Sequence, residues 1–360
     1  MSLSRVLGKP KGKQSFKIDS RWVLPECLIG LEHEYEGVKD RTLPIHSFSE
    51  LWSYHEETSL KDLGAEYVLS NPLFGEDLSN ALQWMTDHAV GQKWKCTKRT
   101  GIHVHMDVRD LEVPQLAGLS LLYAALEPLI YKWVGDSRDV SHFCVPLYKA
   151  DDALFDACSI IRSAFQDQKA GSSLTLKKSE DFKRYAGFNL HALHKFGSIE
   201  FRHLQTTHDR QRIEDWINIL MAIKAAAFKL PQSDGSVVYM LERMSIFEVL
   251  QYVFPERLVW RLFTNDAEYL FQRIGLPCAR DIAVHGCTPV SWTSLSYPRG
   301  KHRGFNKWLN VRPKKKSASD VDHLLQRGRL VFPEMVNLAA AMPQAGIENG
   351  AVWVGVDEML

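Results

Sequence analysis

The chain has 360 residues, a formal net charge of +1 and nearly equal numbers of basic and acidic side chains, 44 against 43. That balance argues against a nucleic-acid binder or an acidic scaffold, and 45% hydrophobic with 24% charged content is the composition of a folded globular protein. No apolar run is expected to reach the roughly 18 residues of a membrane helix, and the basic stretch from Met1 to Lys17 has no apolar centre, so a secretory signal is not expected.

Residues 1–21 read as a flexible basic leader. Cys27–Glu36 then alternates, with Leu31, His33 and Tyr35 on one side and Glu32, Glu34 and Glu36 on the other. Period two over this length predicts a strand. A second strand is predicted over Ala65–Leu69, ended by Ser70-Asn71-Pro72. Asp77–Val90 spaces Leu78, Ala81, Leu82 and Met85 at helical intervals. Ile102–Val108 alternates again, placing His103, His105 and Asp107 together. Pro114 opens an apolar segment to Val134 that predicts a buried helix.

Residues 151–168 are predicted helical and 170–178 a mobile loop. Ala186–Leu190 and Ser198–Leu204 read as strands of a hairpin with Gly197 in the turn. Asp209–Lys229 is an amphipathic helix, and the pattern stays helical to about Gly275. A surface extension is expected over 296–316, basic with interleaved aromatics and suited to a nucleic-acid or acidic partner only if it is not simply a solvated loop. A last helix is expected near 321–330. The resulting class is α+β: an antiparallel sheet with helices packed on one side. The catalytic unit is expected over 22–275, with 276–360 a C-terminal extension. Six cysteines without a CxxC pair point to reduced thiols in a cytoplasm.

Three of the predicted strands share one property, ionisable residues at i and i+2. Side chains at that spacing lie on one face, roughly 7 Å apart. A strand face buried against a core normally carries aliphatic side chains, because an unpaired carboxylate there is costly. Glu32 with Glu34, His103 with His105 and Glu200 with Arg202 therefore mark a charged sheet face. A donor set of carboxylates and imidazoles without thiolates favours Mg²⁺ or Mn²⁺ over structural zinc. Arg202 offers a planar fork for a phosphate or carboxylate. Acids for a metal and an arginine for an anion suit a nucleotide triphosphate. Arg99, Arg138 and Arg184 are further candidates for contact with a substrate carboxylate.

With those residues in view, the chain resembles the amidoligase family, carboxylate–amine ligases of glutamine-synthetase-like fold, many encoded by phages. The motifs that carry the resemblance are Gly30-Leu31-Glu32-His33-Glu34, the run from Gly64 to Pro72, Gly101-Ile102-His103-Val104-His105, Asn189, and Gly197-Ser198-Ile199-Glu200-Phe201-Arg202. The resemblance implies that Glu32, His103 and Glu200 hold one metal and Glu34 and Glu66 a second, with Glu76 or Asp77 as possible supplements. It implies His105 near the phosphates, Arg202 at the transferred phosphoryl group, and Asn189 at the substrate. The implied partners are ATP, Mg²⁺ or Mn²⁺, a carboxylate substrate and an amine, acting in a cytoplasm (a host's if the chain is phage-encoded). Two other readings stay open on the residues alone. One is a metal-dependent hydrolase of an amide or phosphoester; the other is an inactive interaction protein on the same fold.

Overall fold

The computed structural model describes residues 19–40, 42–43, 49–135, 137–170, 185–230 and 234–287, together with Leu3. Most of the expected leader and of the expected loop at 170–178, together with Arg184, the extension at 296–316 and the helix near 321–330, lie outside the described residues.

Six strands are described: β1 (Ile29–Tyr35), β2 (Trp52–His55), β3 (Ala65–Leu69), β4 (Gly101–Asp107), β5 (Phe188–Asn189) and β6 (Ser198–Gln205). They form one antiparallel sheet in the order β2-β3-β1-β4-β6-β5. With its helices on one side, this is the α+β class. The helices that matter here are α1 (Gly75–Gly91), α2 (Val113–Val134), α3 (Asp151–Ala170), α4 (Ala192–Phe196) and α5 (Arg210–Ala227).

β2 is an addition to the sequence reading; only four residues long, it gives a periodicity search little to work on. The expected hairpin is also modified. β5 and β6 pair antiparallel, but α4 stands between them, closed by Gly197 in the left-handed conformation at φ 68°. A glycine adopts that conformation without the Cβ penalty of other residues, so the chain reverses there.

Each strand divides its side chains between two environments. From β1, Ile29, Leu31, His33 and Tyr35 face the helices and are buried. From β4, Ile102, Val104 and Met106 do the same. α2 supplies the centre of the core. It starts with Pro114 in its first turn and a capping box between Glu112 and Gln115, which satisfies backbone N–H groups that a helix end leaves open. This 22-residue helix is long and apolar enough to cross a membrane by composition, a correction to the expectation that no such run exists. Its apolarity is accounted for by packing, since 89% of the qualifying window is buried within the fold. Each fully buried Leu or Ile on it contributes on the order of 1.5–3 kcal/mol.

α5 lies beside α2, where Trp216 is fully buried and stacks on Trp133 at 6.1 Å. Its first turn is capped by the Asp209 side chain, which accepts from Arg212 N. The helical layer runs past residue 275, the expected end of the catalytic unit. Leu276–Ile282 packs on α2 with Leu276, Cys278, Ala279 and Ile282 buried. The close approach needs Gly275, where a Cβ would stand 2.0 Å from the carbonyl oxygen of Ala125.

Candidate active site

The strand register alone assembles the site. Residues directly opposite one another in an antiparallel pair project from the same face. Glu34 is opposite Glu66, and Glu32 opposite His103. His105 is opposite Glu200, and Glu200 opposite Asn189. Five strands thus deliver one continuous polar row across the face that the helices leave open. His55 of the edge strand β2, opposite Glu66, extends it further.

Side-chain contacts knit this row together. His103 Nδ1 is 2.9 Å from one oxygen of Glu32, and His105 Nε2 is 3.2 Å from the other. His103 also lies 3.6 Å from Glu34 Oε1 and 3.8 Å from Glu200 Oε1. Glu34 Oε2 accepts from Gly101 N at 2.6 Å. Glu200 accepts from Asn189 Nδ2 at 2.6 Å through Oε2, while Oε1 pairs with Arg202. A Cβ on Gly101 would sit 3.1 Å from His103 Nε2 and 3.4 Å from Glu34 Oε2, so the missing side chain leaves room where these groups meet.

The electrostatics follow from crowding. Burial pushes the Glu66 carboxyl up to about 8, reinforced by repulsion from Glu32, Glu34 and Glu57. Burial also works against ionisation of Glu32, but hydrogen bonds from His103 and His105 outweigh it and hold that carboxyl well below the usual range. Glu200 is likewise held low, because Arg202 and the two histidines overcome its burial. His105 is raised despite burial, chiefly through its bond to Glu32. Without a cation, then, the row carries unequal charge, with Glu66 disfavoured as an anion. A divalent ion removes that penalty.

Two groups in the row have ligand atoms close enough together to hold one ion each. They are Glu32 with Glu66 and His103, and Glu32 with His105 and Glu200. The resemblance implied a different division, Glu32 with His103 and Glu200 against Glu34 with Glu66. The register sets His105 across from Glu200, while His103 Nδ1 also stands 3.8 Å from Glu200 Oε1, and Glu34 gives one oxygen to Gly101 N. Hard oxygen donors and single imidazoles, with no thiolate among them, fit Mg²⁺ or Mn²⁺.

The remaining expected residues fall in different places. Arg202 is at the site, with Nε donating to Phe143 O at 3.0 Å and its guanidinium 5.7 Å from the Tyr185 ring. Arg99 donates to Ser59 O at 2.5 Å and lies 3.8 Å from Glu36, tying a loop to the end of β1. Arg138 is buried and donates to the backbone carbonyls of Arg202 and His203, and its Nη2 shares the space beside Gly101 with His103 Nε2 and Glu34 Oε2. Glu76 starts α1 and acts electrostatically on Arg21. Sequence reasoning missed Ser198, whose Oγ is 3.2 Å from His105 Nδ1, and Phe196, which packs edge-on against the same ring. Ser198 was within reach, since it lies at i−2 from Glu200 on the same strand face. A cavity of about 500 Å³ bounded by Gln205, Thr206, His208, Asp209 and Arg212 lies past the end of β6 and contains none of the row.

A family model described as "Putative amidoligase enzyme" matches residues 49–224. The stretch is a little under half of the chain, and over it the chain is similar to that family. No curated protein matches the chain. The amidoligase match includes Glu66, His103, His105, Asn189, Glu200 and Arg202 but begins after β1. Glu32 and Glu34 therefore come from outside the matched stretch, on a strand that sits between β3 and β4 in the sheet. The row is continuous only because β1 fills that place.

Proposed function

We propose that this protein is an ATP-dependent carboxylate–amine ligase that forms an amide bond through an acyl phosphate. The observation that carries the reading is Glu32, which belongs to both candidate metal groups and stands on the same face as the Glu200–Arg202 pair. Two cation positions sharing a carboxylate, with a guanidinium alongside, suit a polyphosphate whose terminal group is to be transferred. The amidoligase match supports the ligase class.

A carboxylate is a poor acyl electrophile. In the proposed first step an oxygen of the substrate carboxylate attacks the γ-phosphorus of ATP, the bond to the ADP oxygen breaks, and an acyl phosphate forms. In the second an amine attacks the acyl carbon, inorganic phosphate leaves with the bonding pair, and the amine's proton is lost. Mg²⁺ or Mn²⁺, when bound, neutralises phosphate charge. Glu32, Glu66, His103, His105 and Glu200 would hold and orient the ions. Arg202 donates to the phosphoryl oxygens, and Asn189 keeps Glu200 in place. Glu34, fixed by Gly101 N, faces the acceptor side. This division of labour is positioning and charge neutralisation, which is most of what phosphoryl transfer asks of a protein.

The test is phosphate release from ATP by the full chain, with and without a divalent ion, across panels of carboxylates and amines. Turnover is expected to need the ion and to rise when a productive pair is present, with amide appearing in step with phosphate. Arg202→Ala is expected to lower it by about a thousandfold, the scale of a lost phosphoryl-stabilising arginine. Phosphate release with no amide for any pair would instead support the hydrolase. No nucleotide binding at all would support the inactive interaction protein.

A further inference from the structure

The loop after α2 is built around Arg202. Between Ile102 and Val104 the pairing of β4 with β6 shifts register, so that Arg202 and His203 together stand opposite His103. A bulge of this kind re-aims side chains but leaves backbone groups without ladder partners. Here the partners come from Arg138, which is only 2% exposed. Its Nε donates to His203 O at 2.7 Å and its Nη2 to Arg202 O at 2.8 Å. Its Nη1 is also buried and has no hydrogen-bond partner among the described residues. Five residues on, the same loop presents Phe143 O to Arg202 Nε. The far end of the loop is fixed to α2, where Glu127 accepts from Leu147 N at 3.0 Å and from Tyr148 N at 3.2 Å.

We propose that Arg138 is a positioning residue for Arg202: by holding both carbonyls of the β6 bulge, it sets the direction in which the Arg202 guanidinium points. Arg202 is then gripped twice by one loop, at its own backbone by Arg138 and at its side chain by Phe143 O. Its Nη1 pairs with Glu200, on the side where a transferred phosphoryl group would meet it. Placement at this precision matters because a donor displaced by about 0.5–1 Å loses most of its advantage in the transition state. Lysine is no equivalent at position 138, since one ammonium on a flexible stem does not reproduce a fork spanning two adjacent carbonyls. The inference rests on the ligase reading for the role of Arg202, but the clamp itself is independent of it.

The test uses the full chain as wild type, Arg138→Lys, Arg202→Lys and the double variant. One readout is the affinity of a fluorescent ATP analogue against that of the matching ADP analogue, each with Mg²⁺. Wild type is expected to prefer ATP; each single variant should lose about tenfold of that preference, the worth of one charge-assisted contact. The double variant should be no worse than either single one. A merely structural arginine would weaken both nucleotides alike and multiply with Arg202→Lys, and that result overturns the proposal.

A second readout needs no nucleotide. The Arg202 Nε–H resonance in arginine-labelled protein should be protected from solvent exchange in wild type and lose that protection in Arg138→Lys. Persistent protection in that variant overturns the clamp. So does an unprotected signal in wild type, which keeps the test decisive if Arg138→Lys fails to fold. Failure of wild type to bind either nucleotide, with the exchange result as expected, removes the ligase reading and leaves the clamp standing.

Discussion

His203 shows how much a single buried side chain can say about pH. Its Nε2 lies 2.6 Å from the Tyr123 hydroxyl, which in turn donates to Glu127 at 2.8 Å, and the ring is fully enclosed between Tyr131 and Trp216. Burial, with Arg138 nearby, pushes its pKa down to about 3 from an ordinary 6.5. The unfolded chain therefore binds a proton that the folded chain refuses. The stabilising contribution is complete above about pH 6.5 and is lost as pH falls towards 3, at about 1.4 kcal/mol per pH unit. His203→Gln should be less stable than wild type at pH 7, yet should lose less on going to pH 5. Urea midpoints of both proteins at the two pH values check this, and equal losses would refute it. Glu127, pushed up to about 7 by burial, works in the opposite sense across roughly pH 4.5–7 in both proteins, so it cancels from the comparison.

At the level of elements, the Leu276–Ile282 helix tests whether close packing on α2 matters. Gly275→Ala would drive a methyl into Ala125 O and is expected to cost about 1–3 kcal/mol or more. Gly91, the last residue of α1, would have nothing within 4 Å of a methyl added to it. Gly91→Ala should leave stability unchanged or raise it by up to about 1 kcal/mol. Chemical denaturation of the two variants against wild type measures both. The main elements are readable because their periods are clean: Leu31, His33 and Tyr35 against Glu32 and Glu34 in β1, and Ile213, Trp216, Ile217 and Leu220 in α5. β2 is too short to register, and α4 reads as a turn because five residues cannot establish a helical period. The faces of the row are legible too, since alternation decides them. The partners are not, because which strand lies beside which is decided by long-range packing. Hence the register sets His105 opposite Glu200 while His103 also comes within 3.8 Å of it, and hence Arg138, a sequence candidate for a substrate carboxylate, instead bonds the backbone of the β6 bulge.

For the molecule as a whole, an ion held at the acid row would couple its binding to folding. Four carboxylates, of Glu32, Glu34, Glu66 and Glu200, crowd one face, and an ion that binds only the folded arrangement must stabilise it by mass action. At about a hundred times its dissociation constant the gain is about 2.7 kcal/mol. Mn²⁺ should accordingly raise the melting temperature of the chain. The rise should vanish in Glu32→Ala, because that residue belongs to both groups. A melting temperature indifferent to Mn²⁺ in wild type would argue against a metal at this row.

The alternation in β1 has one more consequence, and it concerns mistakes. Moving β1 by a single residue against β3 and β4 would turn Glu32 and Glu34 towards the helices and Leu31, His33 and Tyr35 towards the open face. Carboxylates would then lie against the apolar side chains of the helical layer with no partner to receive them, while the aromatic ring of Tyr35 stood in water. An all-aliphatic strand could slip at small cost and wait in the wrong place; this one could not. The charges that equip the sheet for chemistry also proofread its assembly.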